Sequence, residues 1–237
     1  LLRYILDSHS EISSPPESKF IFPLIKEVYE NDISNKALDS MNISNKDFNQ
    51  NFSNFINYFL NNYSYKKKKL IWADKSNHHL YILKSLNKIF KKSESSYISL
   101  IRDGIDVSYS FLNYKKHTFK FIDYSNKKTI LNSSLKHWID YNTLLKKNIK
   151  RYKIYLIQYE NLVKKPNVEI NKLCKSLKIK FEKEMINYGE FKHQNGFGDK
   201  NVLKFKKPVL INPSNCEFFF EDDLISRYKK LMNFFYN

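Results

Sequence analysis

Cysteine, glycine and proline are scarce in this sequence. Its 237 residues include 2 Cys, 4 Gly and 6 Pro. Two cysteines exclude a disulfide framework and a four-cysteine zinc site, and we expect both thiols to be unpaired. So few glycines and prolines exclude collagen-like and low-complexity chains. No stretch reaches the roughly 20 apolar residues of a membrane-spanning helix, and no signal peptide is visible.

Apolar, aromatic and basic residues are abundant instead. Hydrophobic residues make up 42% of the chain and aromatic residues 16%, which is enough for a substantial core. We therefore expect a single domain over residues 1–237. The formal net charge of +17 attracts polyanions non-specifically. It fits a nucleic-acid binder or an enzyme with a phosphorylated ligand, although most of the scattered lysines are also explained as solvated surface.

The chain opens on Leu1 inside a helical pattern rather than on Met. We interpret it as a fragment whose first residues are absent, so the lack of a targeting segment carries little weight. Scarce cysteine and a bias toward Lys, Asn and Ile that resembles AT-rich codon usage favour a bacterial cytoplasm.

Short apolar runs alternate with helical patterns in the second half of the sequence. Apolar runs predict strands at 70–73, 97–101 and 152–158. Helical periodicity predicts helices at 1–12, 20–29, 80–90, 106–112, 135–149 and 163–177. Residues 30–66 predict a variable helical insert. The alternation of strand and helix predicts a parallel sheet covered by helices.

A polar cluster follows each of the three predicted strands. These clusters are Asp74-Lys75, Arg102-Asp103-Gly104 and Tyr159-Glu160. Ligands of open parallel sheets bind at the carboxyl ends of the strands. We therefore expect the three clusters to share one rim and to form the functional site.

Arg102 and Ser110 are candidates for binding the same anion. An arginine at the end of a buried strand can direct its planar guanidinium at a phosphate. Ser110 follows about two helical turns later. The alternative is that Arg102 pairs with Asp103 or Asp106 and that Ser110 is ordinary helix surface.

This segment resembles the nucleotide 3′-phosphate motif of PAPS-dependent sulfotransferases, which reads R-D-G-R-D-V-x-x-S after an apolar strand. Residues 98–110 read ISLIRDGIDVSYS, with Ile105 in place of the usual second arginine. Further segments resemble the family in the same order: 1–12 (LLRYILDSHSEI), 14–20 (SPPESKF), 72–77 (WADKSN), and 159–166 (YENLVKKP) continued at 173–177 (LCKSL). The ordered set is more specific than any single segment, and it is most similar to bacterial-type and tyrosylprotein sulfotransferases.

The resemblance implies a fold and a reaction. The fold is α/β, with three layers and a central parallel sheet of P-loop NTPase-like type. The reaction transfers a sulfuryl group from PAPS to a hydroxyl or amine acceptor without a metal and leaves PAP. The family's Gly-rich 5′-phosphosulfate loop would precede Leu1 and is not in this chain. The insert at 30–66 matches nothing in the family pattern, and we expect it on the acceptor side.

The resemblance also implies catalytic roles. Lys75 corresponds to the cation near the bridging oxygen. Glu17 corresponds to the base of the tyrosylprotein relatives, and His78 is the second candidate because cytosolic relatives use a histidine just after the matching lysine. Lys75 can alternatively be a surface partner of Asp74, and Glu17 can alternatively cap the following helix.

The remaining implied roles concern the nucleotide. Arg102 and Ser110 correspond to 3′-phosphate ligands, and Tyr159 to a nucleotide contact or, alternatively, a core tyrosine. Lys200, with Lys204 as alternate, lies in a segment where the family often has a basic loop that closes on the 3′-phosphate. A surface loop with glycine turns explains that segment equally well.

Three rival functions stay open from the sequence. A P-loop nucleotide kinase would have a similar architecture. A catalytically degenerate homologue would account for Ile105 and for the missing loop. A nucleic-acid-binding protein would interleave basic and aromatic residues on one face, whereas the lysines here are scattered.

Overall fold

The computed structural model describes residues 1–90, 95–114, 118–194 and 219–237, with nothing specified for the side chains of residues 33 and 34. Lys200, its alternate Lys204, and Cys216 lie outside these ranges. The chain divides into two compact units. The described part of the first unit is 1–90, 95–96 and 166–194, and that of the second is 97–114, 118–165 and 219–237. The single domain expected over 1–237 stays a prediction.

The described residues form a helix-rich α/β structure. The α-helices are α1 (Leu2–Asp7), α2 (Ile21–Pro23), α3 (Asp32–Ser40), α4 (Asn45–Lys66), α5 (Leu83–Ile89), α6 (Gly104–Ser110), α7 (Lys127–Tyr152), α8 (Tyr159–Lys164), α9 (Pro166–Leu177) and α10 (Asp222–Tyr236). The strands are β1 (Ile12–Ser13), β2 (Ile71–Trp72), β3 (Ile98–Ile101) and β4 (Tyr155–Gln158). A π-helical stretch, Leu24–Tyr29, continues α2, and a 3-10 helix, Asn77–Ile82, precedes α5.

In the first unit, β1 and β2 pair in parallel, with Ile12 opposite Ile71. The predicted helix over 1–12 is wrong in its second half, because α1 ends at Asp7 and the chain turns into β1. A strand of two residues has no periodicity of its own, so only its partner defines it.

The predicted helical insert is confirmed as α3 and α4. Helix α4 begins after Ser44, whose hydroxyl accepts a hydrogen bond from the Asp47 backbone N–H, an ordinary N-cap. Its buried face is Ser53, Ile56, Leu60 and Ser64. The Ser64 and Ser13 hydroxyls lie 2.6 Å apart, and Trp72 Nε1 donates to Asn57 Oδ1 at 3.1 Å. These bonds attach α4 to the β1–β2 pair.

A buried ion pair joins the two chain segments of the first unit. His193 Nδ1 lies 2.6 Å from Asp7 Oδ2 and its Nε2 lies 2.7 Å from the Tyr188 carbonyl oxygen, with both side chains nearly inaccessible to solvent. Each ring nitrogen of His193 thus has a hydrogen-bond partner inside the first unit. The other Asp7 oxygen accepts from the Ser14 N–H, and Lys69 Nζ donates to the Asp7 carbonyl.

Burial by itself would raise the pKa of Asp7. The hydrogen bonds from His193 and Ser14 and the positive charge of Lys69 outweigh it, so the pKa of Asp7 lies below its ordinary value of 3.8. The ionised carboxylate therefore stabilises the folded unit.

In the second unit, β3 and β4 pair in parallel from Ile98–Tyr155 to Ile101–Gln158. Helix α7 is longer than the predicted 135–149 because an Asn126–Thr129 capping box starts it earlier. It ends where Lys153 adopts a left-handed conformation, at φ 51°, so β4 begins three residues later than the predicted strand. Helices α6 and α10 pack against α7.

The predicted α/β class and parallel strand pairing are confirmed. The described strands form two separate parallel pairs, one in each unit, where the sequence predicted one sheet. Within the described ranges, no helix is long and apolar enough to cross a bilayer.

We predict that Asp7→Asn lowers the free energy of unfolding of the first unit by about 3–5 kcal/mol, because it removes one partner of a buried charge pair. Urea denaturation at neutral pH measures this. The matched control is Glu169→Gln, which removes the more exposed Lys172–Glu169 pair and should cost less than about 1 kcal/mol.

The difference in the free energy of unfolding between Asp7→Asn and the unaltered protein should also depend on pH. A lowered folded-state pKa contributes stability that is present above 3.8 and is lost as the pH falls through the folded-state pKa. The two proteins should therefore converge in stability under strongly acidic conditions. A constant difference down to pH 2 would contradict the assignment.

Candidate active site

The first unit joins the candidate base to the candidate cation. Lys75 Nζ donates to Glu17 Oε1 at 2.6 Å. Both side chains are partly exposed, so solutes can reach the pair. Glu17 precedes α2 and Lys75 follows β2. The alternative of a Lys75–Asp74 pair is not the observed contact, because Lys75 pairs with Glu17.

Asp74 belongs to the support of this pair. Its carboxylate accepts hydrogen bonds from the Ser18 hydroxyl at 2.7 Å and from the Ser18 N–H at 3.3 Å. His79 Nε2 lies 3.0 Å from the same carboxylate. Because Ser18 follows Glu17 and Asp74 precedes Lys75, these bonds hold the two segments side by side. Sequence reasoning had no signal for Ser18 or for His79 in this role.

His78 is differently placed. Its ring packs on Phe22, with 4.9 Å between centroids, and it is exposed. Its backbone N–H donates to the Ser76 hydroxyl at the start of the 3-10 helix. The contacts of His78 are therefore to an aromatic ring, whereas those of Glu17 are to the candidate cation.

In the second unit, Arg102 follows β3 directly and Tyr159 follows β4 directly. The register of the pair brings both to the same end of the strands. The guanidinium carbon of Arg102 lies 5.0 Å from the centroid of the Tyr159 ring, which is a cation–π contact. The predicted meeting of these two strand-end clusters is thus observed.

The Arg102 guanidinium keeps unused donors. Its Nη2 lies 3.5 Å from Asp106 Oδ2, so the pairing with Asp106 that the sequence left open is observed, although this distance is long for a hydrogen bond. Its Nε is buried and has no hydrogen-bond partner among the described residues. Burial raises the pKa of Asp106, and the charge of Arg102 opposes that rise. A buried N–H without a partner is costly, so this donor lacks a compensating hydrogen bond within the described residues.

The acidic residues of the motif build the turn around Arg102. Asp103 Oδ1 accepts from the N–H groups of Ile105 and Asp106 at 2.8 and 3.1 Å, and so caps α6. The Asp103 N–H donates to Glu160 Oε1 at 2.9 Å. Asp103 is therefore not the partner of Arg102, which the sequence left open.

Two tyrosines of α10 complete this turn. The Tyr228 hydroxyl donates to Asp103 Oδ2 at 2.6 Å, and the Tyr236 hydroxyl donates to Glu160 Oε2 at 2.6 Å. Burial, together with the hydrogen bond to Glu160, raises the pKa of Tyr236, so it remains a neutral donor. Sequence reasoning missed both tyrosines because they lie 125 and 76 positions from the carboxylates that they contact.

Ser110 lies at the end of α6, where its hydroxyl donates to the Val107 carbonyl at 2.6 Å. This bond uses the hydroxyl proton and leaves the oxygen lone pairs. Burial raises the pKa of the Tyr159 hydroxyl, which keeps that ring neutral beside Arg102. The joint grip of Arg102 and Ser110 on one anion stays a prediction.

The third predicted cluster lies in the other unit. Asp74 and Lys75 belong to the first unit, and Arg102 and Tyr159 to the second. The common rim for all three clusters therefore stays a prediction. Among the residues that the structure describes, no group of three or more His, Cys, Asp or Glu side chains is arranged to hold a metal ion.

Comparison with known proteins identifies the class. A model of the sulfotransferase family matches residues 1–183, so the chain belongs to the sulfotransferase family and its reaction is sulfuryl transfer. This match favours that function over the kinase and nucleic-acid-binding rivals. No curated protein sequence matches the chain significantly.

Two solved structures are similar in fold. The sulfotransferase domain from the curacin biosynthetic pathway has a TM-score of 0.60 at 20% identity, over 98% of this chain and 91% of that domain. The sulfotransferase domain from the Synechococcus PCC 7002 olefin synthase has a TM-score of 0.54 at 19% identity, over 97% and 88%. At these identities the likeness concerns the fold.

We predict that Gly104→Ala disrupts the turn after Arg102. A Cβ at this position would lie 2.8 Å from the Trp138 ring, whose Nε1 donates to the Arg102 carbonyl at 3.1 Å. The overlap should cost about 1–3 kcal/mol and should change the Trp138 fluorescence. Val107→Ala, a half-buried position on the same helix, is the control. An unchanged emission spectrum with unchanged stability would contradict the packing.

Proposed function

We propose that this protein transfers a sulfuryl group from PAPS to a hydroxyl or amine acceptor and releases PAP, as an EC 2.8.2-type enzyme. The observation that carries the donor assignment is the Arg102 guanidinium. It follows β3, lies over the Tyr159 ring, and has a buried Nε without a partner among the described residues.

The residues present fit a phosphorylated nucleoside. A guanidinium fork offers paired N–H donors to phosphate oxygens, and Arg102 has such donors to spare. Ser110, on the helix that follows, is proposed as a second donor to the same phosphate, once its hydroxyl proton turns from the Val107 carbonyl to a phosphate oxygen. The Tyr159 ring offers an apolar face for the nucleoside. Lys200 is proposed as a further phosphate ligand and lies outside the described residues.

PAPS supplies an activated sulfur whose bond to the bridging phosphate oxygen breaks during transfer. Lys75 is proposed to neutralise the charge that develops on that oxygen, and Glu17 to accept the acceptor's proton. The direct Lys75–Glu17 hydrogen bond supports a coupled role: a lysine drawn toward the donor releases the carboxylate as a base. His78 remains the second candidate for the base.

Further expectations from the sequence complete the proposal. They are a single domain over 1–237 with three layers around one central parallel sheet, and catalysis without a metal. They also include a cytoplasmic location and no specific nucleic-acid partner. The parallel pairing within each strand pair supports the sheet.

We predict that Arg102→Ala in the full-length protein lowers the affinity for PAP at least about a hundredfold, because a charge-assisted bidentate contact is lost. Calorimetry measures this. Arg102→Lys should recover little, since a point charge does not reproduce the planar fork. Arg227→Ala, which removes an exposed arginine of the same unit, is the control. Unchanged affinity in Arg102→Ala would refute the donor site.

We predict that Glu17→Gln lowers kcat by about 10²–10⁴-fold, the usual contribution of a general base, with little change in PAP affinity. His78→Ala is the comparison variant, and steady-state sulfuryl transfer measures both. Retained turnover in Glu17→Gln together with loss in His78→Ala would move the base to His78.

A further inference from the structure

An exposed cluster of aromatic rings lies on α4 and on the segment before α2. We call it the aromatic patch and define it as Phe20, Phe55, Tyr58 and Phe59, whose exposed fractions range from 37% to 65%. Phe59 is at its centre, with ring centroids 5.5 Å from Phe20, 5.1 Å from Phe55 and 5.4 Å from Tyr58. All three contacts are edge-to-face.

The fold of α4 does not require these rings. The helix contacts its own unit through a different face, on which Ile56 and Leu60 are buried. Phe55, Tyr58 and Phe59 follow the i, i+3, i+4 spacing of one helix stripe. Much of the rest of the exposed surface of α4 is asparagine. A contiguous apolar patch on an otherwise polar helix marks a binding surface.

The aromatic patch adjoins the Glu17–Lys75 pair. Phe20 follows Glu17 by three residues, so their Cα atoms are at most about 11 Å apart. Ser18, between them, is bound to Asp74, the neighbour of Lys75. The rings therefore begin within the length of one small aromatic molecule from the candidate base, all inside the first unit.

We propose that the aromatic patch binds the acceptor and that the acceptor hydroxyl is carried on an aromatic ring. This inference rests on the proposed function. Edge-to-face and offset contacts make aromatic rings better partners for such a patch than saturated rings of equal area. In this proposal, a phenolic ring seated against Phe59 and Phe20 presents its hydroxyl to Glu17.

The proposed transfer forms one bond to sulfur and breaks another. The phenolic oxygen forms a bond to sulfur while the bond between sulfur and the bridging oxygen breaks. The phenolic proton passes to the Glu17 carboxylate, and the electron pair of the broken bond leaves on the phosphate oxygen of PAP, near Lys75.

The test uses 2-naphthol and its saturated counterpart 2-decalol as probes of matched shape. The full-length protein is assayed for 2-naphthol binding without nucleotide, for PAP binding, and for sulfuryl transfer to each probe. Phe59→Ala should raise the Kd for 2-naphthol about tenfold, the loss expected for one ring contact with its buried area, and should leave PAP affinity unchanged. Phe59→Leu should restore the use of 2-decalol but not of 2-naphthol.

The control is Tyr65→Ala, an exposed aromatic residue on the same helix outside the patch, and it should change nothing. Phe55→Ala provides a second variant if Phe59→Ala fails to fold. Unchanged 2-naphthol affinity in a folded Phe59→Ala protein overturns the inference. So does a dimer that becomes a monomer in that variant, because the patch would then be an interface between copies.

The experiment distinguishes a failure of the donor assignment from a failure of the acceptor inference. If PAP does not bind while Phe59→Ala still weakens 2-naphthol binding, the donor assignment fails and the aromatic patch stands as a ligand site. If PAP binds and Phe59→Ala uses 2-naphthol as well as the unaltered protein does, only the acceptor inference fails.

Discussion

The turn from β3 into α6 depends on two carboxylates that are fully occupied in building it. Asp103 caps the helix and receives a tyrosine hydroxyl, while Glu160 receives the Asp103 N–H and a second tyrosine hydroxyl. Both carboxylates already accept hydrogen bonds from backbone N–H groups and from tyrosine hydroxyls, and neither is the ion-pair partner of Arg102. Arg102 instead contacts the Tyr159 ring and the Asp106 carboxylate, which lies 3.5 Å from its Nη2.

The sequence predicted this part of the molecule well because its signals are local. The apolar run before Arg102 predicted a strand, and the two strands that precede Arg102 and Tyr159 pair in parallel as expected. Strand β1 could not be predicted from the sequence, because two residues are too few to show a strand periodicity. The start of α7 was misplaced because a capping box outweighs the apolar periodicity that begins further along.

For the candidate site, residue types were predictable and partners were not. Glu17 and Lys75 were expected to be functional, but nothing in the sequence indicated that they bond to each other, since 58 positions separate them. Tyr228, Tyr236 and His193 were missed for the same reason: each acts on a residue from a distant segment, and a lone Tyr or His has no signature. The exposure of Phe55 and Phe59 could not be predicted from the sequence, because aromatic residues along one face of a helix ordinarily indicate that this face packs in the core.

Helix α10 supplies two tyrosines to a turn that lies much earlier in the chain, and this fixes the order in which that turn is completed during synthesis. Chains emerge from the ribosome with the N-terminal part first, so Arg102 is made well before the tyrosines that lock the surrounding turn. Until residues 228–236 have emerged, Asp103 and Glu160 lack their phenol donors, and the nascent strand pair carries two carboxylates exposed to water. The turn that carries Arg102 is thus completed only after α10 has been made.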